Sequence, residues 1–197
     1  MSLILVTGGA RAGKSTFAER LARQFGGDRD VCFVATAEQG DDEMRARIAA
    51  HRAARPSGWR TIEAPRGVVA ALDSLADPLT VRVVLLDCLT LLVSNVLLAQ
   101  PRPAETVEGV WPAVEAEVDA LIRFAGRTAV TTVVVSNEVG LGIVPDNRLA
   151  RVYRDLLGRA NQRLAAQAAF VYLVVSGIPF EIKALQRPLG QFPGGHE

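Results

Sequence analysis

The chain has 197 residues, 49% of them hydrophobic, two cysteines and a formal net charge of +1. That length and apolar content suit one well-cored domain and exclude disordered, fibrous and disulfide-scaffold chains. The near-neutral charge provides no broad basic field, so small molecules are the expected partners and nucleic acid is not.

Taken from the N-terminus, "LILVT" at 3–7 is an apolar run of strand length, shorter than the core of a signal peptide, and no exported form is expected. A helical pattern occupies 14–25 and a strand, "VCFVAT", 31–36. The segment "DDEMRARIAAHRAARP" reads as a charged helix over 42–54, opened by Asp41 and Asp42 and stopped by Pro56. A strand at 59–64 and a helix at 67–76 follow. "VRVVLLDCLTLLVSNVLLAQ" is broken by Asp87 and Asn95 and changes period midway, which predicts a strand at 81–87 and a helix at 90–99 and no membrane span. A surface loop at 99–106, a helix at 107–125, a strand at 129–136 and a helix at 147–168 come next. The strand at 170–176 can turn back through "GIPFEIK" at 177–183 as an antiparallel edge.

This alternation predicts an α/β fold: a mostly parallel central sheet with helices on both faces, joined by right-handed crossovers. Residues 1–184 are expected to form a single domain, with 185–197, rich in Pro and Gly, as a flexible tail. Cys32 and Cys88 lie in apolar runs, where free thiols are usually buried; with no secretory leader they argue for a reducing, cytoplasmic location.

The motif G-x-x-x-x-G-K-[ST] runs from Gly8 through Gly9, Ala10, Arg11, Ala12, Gly13 and Lys14 to Ser15, directly after a strand and before an amphipathic helix. That context makes it a P-loop: glycines let backbone N–H groups turn around phosphates, and the helix N-terminus favours anions. Lys14 would neutralise the β- and γ-phosphates, and is expected to be exposed in the empty loop; the Ser15 hydroxyl would ligate Mg²⁺. Asp87, ending its strand at the edge of the sheet, reads either as a metal-associated carboxylate or as a cap for the next helix. His51 shares a helical stripe with Met44 and Ile48, so its plain reading is a hydrogen-bonded histidine at a core edge.

Together, "TGGARAGKS" at 7–15, "DDEMRARIAAHRAARPSGW" at 41–59, "LLDCLTLLVSN" at 85–95 and "NEVGLGIVPDNRLARVYRDLLGRANQRLA" at 137–165 resemble the bifunctional adenosylcobinamide kinase/adenosylcobinamide-phosphate guanylyltransferase family of cobalamin biosynthesis. The resemblance implies a RecA-like P-loop NTPase fold, a homotrimer and two reactions. ATP or GTP phosphorylates adenosylcobinamide; GTP then gives GMP to a histidine, from which it passes to adenosylcobinamide phosphate. The family's guanylylated histidine falls on His51, and a neutral imidazole with a pKa of about 6.5 is a competent nucleophile. Its nucleotide contacts fall on the P-loop, on Val34, Ala35 and Thr36, on Arg52, Ala53, Ala54 and Arg55, on Glu63 and on Asp87. Arg52 and Arg55 could stabilise phosphate charge or lie solvated on a helix face, and either Glu63 or Asp87 could read guanine. Ala50 stands where some relatives have a second histidine.

Asn137, Glu138 and Asn147 are candidates for substrate contact, against a turn in which Asp146 caps the following helix. Arg148, Arg151 and Arg154, three apart, form a basic helical edge that is either solvated or turned to a partner. The alternative function is a single-activity P-loop small-molecule kinase in which His51 is structural.

Overall fold

The structure, a computed structural model, describes residues 2–38, 55–74, 81–100 and 106–186. The helix expected over 42–54, most of the loop at 99–106 and the tail from 187 lie outside the described residues. The described residues include seven strands: β1 (Leu3–Gly8), β2 (Val31–Ala35), β3 (Arg60–Glu63), β4 (Val83–Asp87), β5 (Thr131–Val135), β6 (Phe170–Val175) and β7 (Ile178–Glu181). The described helices are α1 (Lys14–Gly26), α2 (Val68–Asp73), α3 (Leu89–Leu98), α4 (Val107–Arg127) and α5 (Arg148–Gln167).

The strands form one sheet in the order β3-β2-β4-β5-β1-β6-β7, parallel throughout except for β7, which runs antiparallel to β6. β2, and β1 and β4 up to Thr7 and Asp87, are apolar because both faces of the sheet are covered. On one face Ile4, Val6, Phe33, Leu85 and Val133 meet Ala18 and Ala22 of α1. On the other, Leu5, Val34, Leu86 and Val134 pack with Leu92 of α3, Val114 and Leu121 of α4, and Leu156 and Leu164 of α5. Parallel strands present all their C-terminal ends along one edge, and there β1, β2, β4 and β5 deliver the P-loop, Thr36, Asp87 and Asn137.

Two ends are set by local chemistry. α5 is capped by Asn147, whose Oδ1 accepts from the Ala150 amide at 2.8 Å, one residue after the cap expected at Asp146. The Asp146 carbonyl, with that of Pro145, instead accepts from the Arg151 guanidinium, so Arg151 closes this turn. β6 and β7 are joined through Ser176 and Gly177, both at positive φ, which matches the twist of a tight hairpin.

Candidate active site at the phosphate loop

β1 ends at Gly8 because the chain must turn there against its neighbour: φ is 147° and a Cβ would lie 2.3 Å from the Val174 carbonyl oxygen of β6. The loop closes through an Ala12 to Gly9 backbone bond of 3.3 Å, and the Gly177 amide of the β6–β7 hairpin donates to the Ala12 carbonyl at 2.8 Å. Gly13 then starts α1 in the left-handed region, φ 94°, with no side chain capping the helix. The first amides of α1 are thus left uncapped by the Gly13 side, an arrangement that favours an anion.

Lys14 is not exposed, as the motif alone suggested; it is 7% accessible, and its ammonium donates to the Gly9 carbonyl at 2.6 Å. The loop supplies an acceptor that the extended side chain would otherwise seek in water. Burial lowers the Lys14 pKa, and the nearby Cys88 and Asp87 groups oppose that shift. An arriving phosphate oxygen can replace the Gly9 carbonyl as acceptor. Ser15, half-buried, lies in the first turn of the same helix.

Asp87 is the last residue of β4, half-buried, in register with Ala35 of β2 and Val135 of β5. The residue at the N-cap of α3 is Cys88, which makes no side-chain cap bond, so Asp87 does not occupy the cap position. The Asp87–Cys88 peptide is cis. Burial pushes the Cys32 and Cys88 thiols up to about 11, which keeps both protonated near neutral pH.

The groups of residues 34–36 turn inward. Val34 is fully buried and the Ala35 carbonyl accepts from the Ala64 amide at 2.8 Å. Thr36 is 0% exposed; its hydroxyl donates to the Cys88 carbonyl at 2.7 Å and accepts from the Cys88 amide at 2.8 Å. Both hydrogen-bonding functions of this hydroxyl are therefore engaged by the turn after β4. Glu63 is exposed at the end of β3, one strand beyond Ala35. The Arg55 guanidinium lies 3.4 Å from the Phe33 ring centre, a cation–π contact that holds it against β2. His51, Arg52, Ala53 and Ala54 lie outside the described residues.

Between the P-loop strand and Asp87 comes the end of β5. The Glu138 amide donates to the Gly8 carbonyl at 3.0 Å, and the Asn137 amide to the Thr90 hydroxyl at 2.9 Å. The Ser136 hydroxyl donates to Asn161 Oδ1 at 2.6 Å, and Asn161 Nδ2 to the Asn137 carbonyl at 3.0 Å. Asn161 belongs to no motif; its signal in the sequence is a polar residue in the buried stripe of α5, beside Leu157 and Leu164. The loop continues through Leu141, Ile143 and Val144, all exposed, Ile143 at 97%. Arg154 pairs with Asp155 at 3.1 Å, so that member of the basic edge is partnered within its own helix. A groove between α4 and α5, lined by Trp111, Asp119, Arg159 and Arg163, lies away from this edge and is crossed by the Arg163–Asp119 ion pair.

Among the described residues no three His, Cys, Asp or Glu side chains gather as a metal cluster, and no helix is long and apolar enough to cross a membrane. The solved structure of the RadB recombinase is similar to this chain with a TM-score of 0.51 at 17% identity, covering 87% of this chain and 73% of that one, a likeness of fold alone. It places the sheet among RecA-like P-loop folds. The Bifunctional adenosylcobalamin biosynthesis protein CobU of Escherichia coli (strain K12) is 47% identical over 92% of this chain and 99% of its own. The protein of that name from Salmonella typhimurium (strain LT2) is 46% identical over the same shares. A family model described as cobinamide kinase / cobinamide phosphate guanyltransferase matches residues 4–182, from β1 past the end of β7 and so across the whole sheet edge just described. The chain therefore belongs to the cobinamide kinase / cobinamide phosphate guanyltransferase family.

Proposed function

We propose that the chain carries out both activities of its family in sequence, phosphorylating adenosylcobinamide and converting the product to adenosylcobinamide-GDP. The observation that carries this reading is the juxtaposition of an uncapped α1 N-terminus, buried Lys14 and Asp87 at one edge of the sheet. Such an edge suits a nucleoside triphosphate.

In the first reaction the aminopropanol hydroxyl oxygen attacks the γ-phosphorus of ATP or GTP. The bond from γ-phosphorus to the bridging oxygen breaks, the nucleoside diphosphate leaves, and the hydroxyl proton passes to the medium. Lys14 neutralises oxygens on the β- and γ-phosphates, and the P-loop amides from Gly8 to Ser15 orient them. Ser15 and Asp87 offer a hydroxyl and a carboxylate, hard oxygen donors that fit Mg²⁺ when substrate phosphates complete its coordination. Bound there, Mg²⁺ would supply neutralisation of phosphate charge.

In the second reaction a ring nitrogen of His51 attacks the α-phosphorus of GTP, a P–N bond forms and the P–O bond to pyrophosphate breaks. An oxygen of adenosylcobinamide phosphate then attacks the same phosphorus, the P–N bond breaks and the imidazole is regenerated. The support for His51 is its segment, with Arg52 and Arg55 beside it as positive charges for the leaving group. Ala35, Ala53, Ala54 and Glu63 complete the nucleotide contacts in this reading, with Val34 and Thr36 as buried supports and Glu63 or Asp87 accepting from guanine. The enzyme works in the cytoplasm as a homotrimer, in keeping with the exposed apolar edge formed by Val175, Ile178 and Phe180. Light scattering checks that state: a mass of three times the 21.1 kDa chain is expected.

The experiment for the catalytic reading incubates wild type and His51→Ala with GTP, Mg²⁺ and adenosylcobinamide, followed by mass spectrometry of protein and corrinoid. His51→Ala should lose the acid-labile GMP adduct and adenosylcobinamide-GDP but retain the phosphorylated corrinoid. A surviving adduct moves the nucleophile elsewhere; equal loss of both activities in folded protein makes His51 structural.

A further inference from the structure

α3 has the sequence LTLLVSNVLL and buries Leu89, Leu92, Val93, Val96 and Leu97. An asparagine inside such a helix is a weak helix former and is costly to desolvate unless its amide finds partners. Asn95 finds two: Nδ2 donates to the Thr36 carbonyl at 2.8 Å and to the Pro65 carbonyl at 3.1 Å. Two carbonyl acceptors can be met only by the NH₂ group, so the orientation of the amide follows from its partners. Both acceptors lie just past the ends of neighbouring strands, Thr36 after β2 and Pro65 after β3.

The bonds continue beyond Thr36. Its hydroxyl makes both contacts to the Cys88 peptide, and its amide donates to the Asp87 carbonyl at 3.4 Å. Asn95 is thus joined through one fully buried threonine to the backbone that leaves the Asp87 side chain, at the Asp87 carbonyl and at the amide and carbonyl of Cys88. We infer that Asn95, acting through Thr36, is a positioning residue that holds the Asp87 carboxylate at the phosphate loop. The inference rests on the reading of Asp87 as part of the nucleotide site. An anchor for α3 alone needs no such arrangement, because five buried apolar side chains already fix that helix to the core.

The test uses the full-length enzyme and four variants. Thr36→Val removes the hydroxyl while keeping the shape, Thr36→Ser keeps the hydroxyl, Asn95→Leu removes the amide, and Asp87→Asn reports on the carboxylate itself. A misplacement of about 1 Å at a reacting centre costs on the order of a hundredfold in rate. Thr36→Val and Asn95→Leu should therefore lower kcat for corrinoid phosphorylation about tenfold to a hundredfold with KM for the corrinoid near wild type. Thr36→Ser should recover most of the loss. Exchange of the Cys88 amide, followed by mass spectrometry of the peptide containing it, should accelerate in Thr36→Val and return toward wild type in Thr36→Ser.

Combined with Asp87→Asn, Thr36→Val should cause no further fall in kcat, because both act on one group. Wild-type kcat in folded Thr36→Val, or full additivity with Asp87→Asn, overturns the positioning role. Wild-type activity in Asp87→Asn alone overturns the reading of Asp87, and the inference with it. The Thr36 pair decides the question even where Asn95→Leu fails to fold.

Discussion

Replacing Gly8 with alanine provides a direct measure of how closely the phosphate loop is built against its neighbouring strand. The new Cβ would stand 2.3 Å from the Val174 carbonyl oxygen, an atom in the β-ladder that cannot rotate away as a side chain can. The residue also sits at φ 147°, where alanine is strained. Forcing an extra carbon into a packed interior costs about 1–3 kcal/mol, and a strained backbone about 1–3 kcal/mol more. Their combination is about 4 kcal/mol. At about 2–4 °C per kcal/mol for a chain of this size, Tm should fall by about 8–16 °C. The internal control is the next residue: a Cβ at Gly9 meets nothing within 4 Å, so Gly9→Ala should melt within about 2 °C of wild type. Both variants are compared by circular dichroism melts at equal protein concentration. A Gly8→Ala melt indistinguishable from wild type, or a Gly9→Ala fall as large as that of Gly8→Ala, refutes the packing argument.

Lys14→Met should reduce corrinoid phosphorylation by about a hundredfold or more through loss of charge at the β- and γ-phosphates, read by steady-state kinetics. Its melt should equal or exceed that of wild type, since burial disfavours the charged lysine in the folded state and methionine retains most of the stem. The Glu181 carboxylate accepts from the amides of Val171, Lys183 and Ala184, and those bonds hold its pKa below the ordinary value. Between the folded and unfolded pKa values the unfolded chain binds more protons, so this contribution is present above the unfolded value and is lost as pH falls through the folded one. Melts of Glu181→Gln from pH 7 to pH 3 should accordingly start lower than wild type and decline less steeply below about pH 4.5; identical slopes in the two proteins would contradict the assignment.

The strands and most helices were legible because their signals are local. A run such as "VRVVLLD" announces a strand buried on both faces, and β4 occupies Val83–Asp87 within it. The P-loop was legible for the same reason: strand, glycines, lysine and helix are contiguous, and Gly13 starts α1 as that grammar requires. Even the antiparallel edge strand could be anticipated from the short return after β6.

The environment of those residues was settled only by the tertiary structure. Several apolar strands satisfy the same pattern, so local sequence does not say that β5 lies between β1 and β4, bringing Asn137 and Glu138 between the P-loop and Asp87. Lys14 looks like a solvent-seeking side chain until the folded loop presents the Gly9 carbonyl to it. The Thr36 hydroxyl reads as a ligand contact until β2 and β4 are paired and the Cys88 peptide, 52 positions away, takes both its donor and its acceptor. Asn95 similarly reads as an interruption of an apolar helix until Thr36 and Pro65 arrive beside it. Periodicity and turn chemistry act between residues within a few positions of one another, whereas a buried polar group takes whichever partner the folded sheet carries to it.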